Sequence, residues 1–307
     1  MRIGINGTGL VQKASVDAVT AHAQEAASAG FSSYWLAEHP TGGFDALTVL
    51  ALVGQRVGGL ELGTAIVPTF PRHPMALAGQ ALTTAASIDH RLTLGIGLSH
   101  EPMMAQLGIG FDKPIRHLRE YLTILMSLMR TGKADFTGAT LACQAELFKQ
   151  PDGNTPVVVA ALGPQALKVA GTLADGTTLA WVGPKTVREH IVPRISAAAA
   201  AANRPPPRII ATLPVCVTTE PAAVRAAIAK GLAMYGRLPS YRAMFEREGA
   251  DGPEDVAIVG SAAEVGDQLQ ALADAGVTDF AASEFVRTPD EREATRALLR
   301  ELIAHDG

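Results

Sequence analysis

The sequence predicts a (β/α)8 TIM barrel of the α/β class. Three observations carry that expectation. Short β-type runs alternate with longer helical patterns along the whole chain, which argues for a parallel sheet. Eight such units fit into 307 residues, close to the length that one barrel needs. Hydrophobic residues make up 48% and charged residues 18% of the chain, enough for a large core and incompatible with a disordered chain or a small disulfide scaffold. A doubly wound sheet is the rival reading of the same alternation.

The elements follow in order. Arg2 to Ile5 is the first strand. Its helix starts near Ser15, with Val16, Val19, Ala23 and Ala26 at inward positions and Gly30 closing it as a C′ glycine. Tyr34 to Ala37 is the second strand, followed by a helix from Asp45 to Val57. Leu60 to Ile66 is the third, with a helix from Pro74 to Ile88. Leu92 to Ile96 is the fourth, and its helix carries Leu118, Tyr121, Leu122, Leu125 and Met129 on one stripe. Val157 to Ala161 and Thr177 to Trp181 are the fifth and sixth strands. Ile209 to Val217 is the seventh, before a long helical region. Val277 to Ala281 is the eighth, with a closing helix from Pro289 to Ala304. Ser261 with Glu264, and Thr288 with Glu291, match the capping box, the second with proline at the first helical position.

One domain over residues 1–307 is expected, with two insertions. Lys133 to Gln150 reads as a small strand-bearing insertion after the fourth helix. Tyr235 to Val259 is polar, holds Gly249, Gly252 and Pro253, and reads as a mobile excursion before the eighth strand. Insertions of this kind usually decorate a barrel's catalytic face. The alanine run from Ala197 to Ala202 reads as a helix end before Pro205, Pro206 and Pro207.

Several function classes are excluded. The net charge is −4 and Lys and Arg form no runs, so no basic face for nucleic acid or membrane is written. Cys143 and Cys216 imply no disulfide framework. The N-terminus lacks an apolar leader and no stretch reaches the length of a bilayer span, so a soluble cytoplasmic protein is expected. His100-Glu101 opens like a zinc-binding signature, but Met104 stands where the second histidine belongs, and no metal is expected.

Glycine turns mark the candidate binding loops. Gly7-Thr8-Gly9 follows the first strand, yet its third fingerprint position is Gln12; Gly95 and Gly97 have His100 there, so neither decides a dinucleotide. Gly163-Pro164 and Gly183-Pro184 open the helices after strands five and six. Glycine offers no side-chain acceptor at an N-cap, so the first-turn N–H groups are left for an anion or for water. Polar groups at strand C-termini complete the candidates, because a barrel's site lies there: Glu38 and His39; Thr64, Thr69, Arg72 and His73; Ser99, His100 and Glu101; Trp181; Ser283 and Glu284. His73 and His90 read as helix-boundary residues. His39 stands out beside Glu38, on a short loop before Pro40.

The segments Ala29 to His39 (AGFSSYWLAEH), Leu62 to Val67 (LGTAIV), Arg72-His73-Pro74, Asp89 to Gly97 (DHRLTLGIG), Pro156 to Pro164 (PVVVAALGP) and Ala174-Asp175-Gly176 stand in the order of one family. On them the chain resembles the luciferase-like monooxygenases, the flavin and deazaflavin oxidoreductases of bacterial luciferase type, and most of all their branch that uses coenzyme F420. The resemblance covers most of residues 1–185 and implies a barrel, usually a homodimer. It implies a deazaflavin ring held against a bulge at Thr64, Ala65 and Ile66, with a cis peptide between Ala65 and Ile66. It implies a phosphate on the backbone around Ala161, Leu162, Gly163 and Pro164. Ser99, His100 and the residues to Met103 fall near the ribityl chain and substrate, where His100 and Pro102 depart from the usual pattern. Trp181 and Ser283 are placed in the substrate pocket. The basic triad that reads a sugar phosphate in one branch is not recognisable, since Lys185 is offset and Arg287 stands alone.

The expected activity is hydride transfer between deazaflavin C5 and a small organic substrate, with His39 as proton donor or acceptor. Glu38 is expected to fix the tautomer of His39 and raise its pKa. The alternatives are an FMN-dependent monooxygenase and a cofactor-binding protein without its own turnover.

Overall fold

The computed structural model describes residues 1–11, 14–40 and 42–305. Gln12, the third position of the first glycine turn, lies outside the described residues. The first half of the chain runs β1 (Arg2–Asn6), α1 (Thr8–Val11), α2 (Val16–Ser28), β2 (Ser33–Leu36), α3 (Ala46–Arg56), β3 (Glu61–Thr64), β4 (Val67–Pro68), α4 (Pro74–Ser87), β5 (Leu92–Gly97), α5 (Glu101–Gln106) and α6 (Pro114–Thr131). A hairpin of β6 (Lys133–Thr137) and β7 (Ala142–Glu146) follows. Then come β8 (Val157–Val159), α7 (Pro164–Leu173), β9 (Gly176–Ala180), α8 (Pro184–Thr186), α9 (Val192–Ala201), β10 (Arg208–Thr212), β11 (Pro214–Val217), α10 (Pro221–Gly231), α11 (Pro239–Glu248), β12 (Ile258–Gly260), α12 (Ala262–Asp274), β13 (Asp279–Glu284) and α13 (Pro289–His305).

The strands β1, β2, β3 with β4, β5, β8, β9, β10 and β13 pair in parallel in that order, and β13 pairs with β1 to close the barrel. Closure leaves the eight-stranded barrel itself without an edge, and the helices cover the outside. Local chemistry starts the helices where the sequence places them. Ser15 accepts the Ala18 N–H and Asp45 the Thr48 N–H, each satisfying an orphan donor of the first turn. Both halves of the Ser261–Glu264 capping box form. The box at Thr288 forms only in half: Thr288 Oγ1 accepts the Glu291 N–H, but the Glu291 carboxylate is drawn to the Arg287 N–H and guanidinium. A charged partner outcompetes the neutral cap. On α6, Leu118, Leu122, Leu125 and Leu128 are fully buried, and each such leucine stabilises by roughly 1.5–3 kcal/mol.

Several segments differ from the sequence reading. The third strand is not continuous to Ile66 but breaks between β3 and β4, where the Ala65–Ile66 peptide is cis. The seventh breaks at Leu213, because β10 pairs with the start of β13 and β11 with its end, and β11 also carries β12 as an added strand. The eighth starts at Asp279, two residues late, and runs to Glu284. The polar excursion is structured: α11 buries Met244 and Phe245, two adjacent apolar residues that neither a strand nor a helix pattern singles out in the sequence. The first insertion is the hairpin β6–β7, and His73 at the start of α4 lies 3.2 Å from its Ala142 carbonyl. Its turn is drawn against the flank of α6, where Glu120 accepts the N–H groups of Ala139, Thr140 and Leu141. The Thr140 hydroxyl donates to the same carboxylate, and together with those N–H groups it holds the Glu120 carboxyl down at about 2 against the burial that raises it.

The barrel interior is filled. Trp35, Val158, Ile210 and Ala281 pack together, with Ala65 against them. Below this layer, Arg208 reaches Glu61 at 2.8 Å and Asp279 at 2.8 Å, and Arg2 joins both carboxylates. A paired cluster of this kind plugs the N-terminal end with its charges satisfied. Among the described residues, no helix is long and apolar enough to cross a membrane.

Candidate active site at the barrel mouth

Residues paired in register on parallel strands point to the same side, and side chains alternate along each strand. Counting outward from the interior layer, the inward positions at the C-terminal strand ends are Asn6, Ala37, Ala65, Gly97, Ala160, Ala180, Thr212 and Ser283. All but Gly97 are half-exposed, whereas their outward neighbours Ile5, Leu36, Val159, Leu179, Ala211 and Ala282 are buried in the shell. Five of the eight carry a methyl group or none. The floor of the mouth is therefore shallow and smooth, with polar atoms confined to the Asn6, Thr212 and Ser283 side. Thr212 Oγ1 is buried there without a hydrogen-bond partner.

One ledge of this floor is fixed by backbone contacts. Thr64 Oγ1 donates to the Gly95 carbonyl at 2.7 Å and accepts the Gly95 N–H at 2.8 Å. The Ala65 N–H goes to Leu36 O and the Ile66 carbonyl accepts the Glu38 N–H. The bulge at Thr64, Ala65 and Ile66 is thus tied to β2 on one side and β5 on the other.

The two Gly-Pro helix starts turn out differently. At α8, the Glu248 carboxylate from the end of α11 accepts the N–H groups of Lys185 (3.1 Å) and Thr186 (2.7 Å). The chain supplies its own anion there, and a Cβ at Gly183 would lie 2.4 Å from that carboxylate. At α7, Gly163 has no side-chain cap, and among the described residues nothing accepts the N–H groups of Leu162 and Gly163. Gly163 is exposed, with φ −76° and open space where a Cβ would stand. Ala161 is buried with its methyl in the shell, so only its backbone can face a ligand, and Ala160 holds the inward position. Gly163→Val is expected to fold normally and to weaken binding of a phosphate-bearing cofactor about tenfold or more, about 1.4 kcal/mol. Wild-type affinity in a well-folded variant, read by fluorescence titration, would remove the site.

His39 and Glu38 do not form the expected pair. Glu38 accepts the Ala46 N–H at 3.2 Å and the Arg72 guanidinium at 3.1 Å, and Arg72 also reaches Asp45 at 3.0 Å. Burial raises the Glu38 carboxyl against the pull of Arg72. Among the described residues no hydrogen bond reaches the His39 ring, and burial pushes its pKa below the ordinary 6.5. The expected rise is therefore reversed: the nearest carboxylate is spent on Arg72 and on the start of α3, and desolvation disfavours the imidazolium.

Across the mouth the second insertion builds an aromatic wall. The Trp181 ring lies 4.8 Å from Tyr235, Tyr235 lies 5.7 Å from Tyr241, and Tyr241 lies 5.4 Å from His100. Burial lowers the His100 pKa, so its ring is neutral and suited to aromatic packing. Trp181 and Ser99 both adopt left-handed backbone, φ +64° and +61°, a conformation that non-glycine residues hold only where the surroundings enforce it and that concentrates at functional sites. Ser99 Oγ turns to Met103 Sδ at 3.6 Å. Tyr235, Tyr241 and Glu248 escape a sequence reading because they act through a fold-back of the chain. One signal points to them: two of the four tyrosines sit in the polar excursion. Ser283 holds an inward position on β13, and His73 and His90 occupy helix boundaries. Among the described residues no group of His, Cys, Asp and Glu side chains could hold a metal ion.

The profile of the luciferase-like monooxygenase family matches residues 3–279. The chain is 25% identical over 276 residues to a 5,10-methylenetetrahydromethanopterin reductase from Methanolobus tindarius, covering 89% of this chain and 83% of that protein. It is 29% identical over 199 residues to an F420-dependent glucose-6-phosphate dehydrogenase from Mycobacterium tuberculosis, covering 61% of this chain and 59% of that one. A solved coenzyme F420 dependent tetrahydromethanopterin reductase from Methanopyrus kandleri superposes with a TM-score of 0.83 at 21% identity, over 99% of both chains. With the profile spanning nearly all of the closed barrel, the chain belongs to the luciferase-like monooxygenase family.

Proposed function

We propose that the chain is an F420-dependent oxidoreductase acting on a small organic substrate at the barrel mouth. The observation that carries the reading is the pairing of a smooth floor with an uncapped helix start: a planar ring system fits over Ala65, Gly97 and Ala160, and a phosphate fits the free N–H groups at Leu162 and Gly163. The choice of F420 is supported by the named cofactor of the mycobacterial relative. When bound, the deazaflavin supplies the hydride chemistry at C5.

The rest falls to this chain's residues. Backbone N–H groups and the positive end of α7 neutralise the phosphate, the dipole contributing roughly 0.3–1 kcal/mol when exposed. The ledge at Thr64 to Ile66 sets the height of the ring, because Gly95 and Leu36 hold it from both sides. Trp181, Tyr235 and Tyr241 shield the opposite face from water, which strengthens every polar contact inside. Thr212 Oγ1, buried and unpartnered, offers a hydrogen bond to a substrate oxygen. His39, neutral at pH 7, can hold one proton on one ring nitrogen and accept another on the second.

Titration with F420 and with FMN tests the reading. F420 is expected to bind about tenfold more tightly or better; equal or tighter FMN binding would favour a flavin-dependent monooxygenase and overturn it.

A further inference from the structure

Beside the phosphate cradle lies a pocket that the hydride chemistry does not use. It is an open cavity of about 210 Å³ bordered by Lys185, Thr186, Glu189, His190, Arg194 and Arg247. Three of these are cations, and among the described residues no carboxylate lies within ion-pair distance of any of them. The one acid on its wall is Glu189. Glu248, next to Arg247, is committed to the start of α8. Unpaired cations gathered round a cavity favour an anionic occupant.

His190 narrows the chemistry. It is 2% exposed and its Nε2 stands 2.7 Å from the Leu162 carbonyl. A carbonyl only accepts, so Nε2 carries the proton. Burial lowers the pKa of this ring and the charges of Arg247 and Arg194 act in the same direction, against the bond to Leu162. The neutral ring then leaves Nδ1 as a bare acceptor, and Nδ1 is buried without a partner. Chloride or sulfate has no proton to offer it. A ligand carrying both carboxylates and amide N–H groups satisfies the arginines and the imidazole together. The bond to Leu162 also places the pocket next to the uncapped start of α7.

We infer that this pocket docks an anionic peptide tail that runs on from the phosphate held at Leu162 and Gly163. The inference rests on the F420 reading, because that coenzyme carries glutamyl residues beyond its phosphate whereas FMN ends there. Lys185 and Arg247 meet the carboxylates, and His190 joins the tail to the cradle.

Two forms of the coenzyme test it, one with an oligoglutamyl tail and one lacking glutamate, titrated at low salt by fluorescence. The parent protein is expected to bind the tailed form about fivefold more tightly, the size that two partly exposed charge pairs give, and the advantage should shrink in roughly 0.5 M salt. Arg247→Ala and, separately, Lys185→Ala should reduce that advantage, and the double variant should abolish it, with binding of the short form unchanged within about twofold; thermal melting shows that each variant folds. Equal affinity for the two forms in the parent, or equal loss of both in the variants, overturns the tail site while leaving F420 use intact. Binding of neither form overturns both.

Discussion

His39→Ala is expected to lower turnover by about 100- to 10,000-fold, the usual range for a positioned general acid or base, while F420 affinity changes by less than about threefold. The expectation rests on placement. His39 follows the inward position of Ala37 by two residues, and the N–H of Glu38 is tied to the carbonyl of Ile66 on the ledge. The ring is half-buried and, among the described residues, free of hydrogen bonds, so nothing competes with a substrate for its nitrogens. Burial places its pKa below 6.5, and the sign of the pH dependence follows. When the substrate must lose a proton, the working form is the neutral ring, so kcat/KM falls as pH drops through that lowered pKa. In the direction that delivers a proton, the same protonation raises the rate. Unchanged turnover and an unchanged pH profile in the variant, with any substrate that the parent converts, would make His39 structural.

Gly95→Ala is expected to destabilise the protein by about 3 kcal/mol or more, at or beyond the upper end for overpacking, and to abolish cofactor binding in whatever fraction folds. A Cβ at Gly95 would stand 1.8 Å from the Thr64 carbonyl oxygen and 2.9 Å from its carbon. Those are backbone atoms, and they cannot swing aside. The Thr64 hydroxyl is bonded to both the N–H and the carbonyl of Gly95, so relief means parting β3 from β5 at the ledge. Gly97→Ala provides the comparison: its Cβ would meet the Ala160 methyl and the Ile66 side chain at 3.0 Å, tight contacts that small shifts can relieve. A Gly95→Ala protein that melts within about 1 kcal/mol of the parent and binds F420 normally would show that the ledge tolerates displacement.

Elements whose cause is local are legible in the residues alone. Ser15, Asp45 and Ser261 start helices with their own side chains, and Gly30 ends one at φ +84°. The stripe from Leu118 to Met129 is written at helical spacing and is buried as written. The motif order likewise marks the Ala65–Ile66 peptide and the uncapped helix start at Gly163. Partnership is not legible in this way. Glu38 next to His39 reads as a pair, yet Arg72, 34 residues away, takes the carboxylate because a guanidinium offers more than a neighbouring imidazole in a partly buried place.

The sequence by itself determined the alternation of strands and helices, because periodicity and caps act over a few residues at a time, and the order of its motifs marked the family and, through that resemblance, the closed barrel over the doubly wound rival. Only the tertiary structure showed that the second of the two Gly-Pro helix starts is closed. Glu248 reaches the second from 62 residues downstream, and a carboxylate at a helix N-terminus removes it from any competition for a ligand's phosphate. The aromatic wall and the basic pocket were decided the same way. Trp181, Tyr235, Tyr241, Lys185 and Arg247 carry no common spacing, and they meet because α11 folds back over the mouth on the buried side chains of Met244 and Phe245.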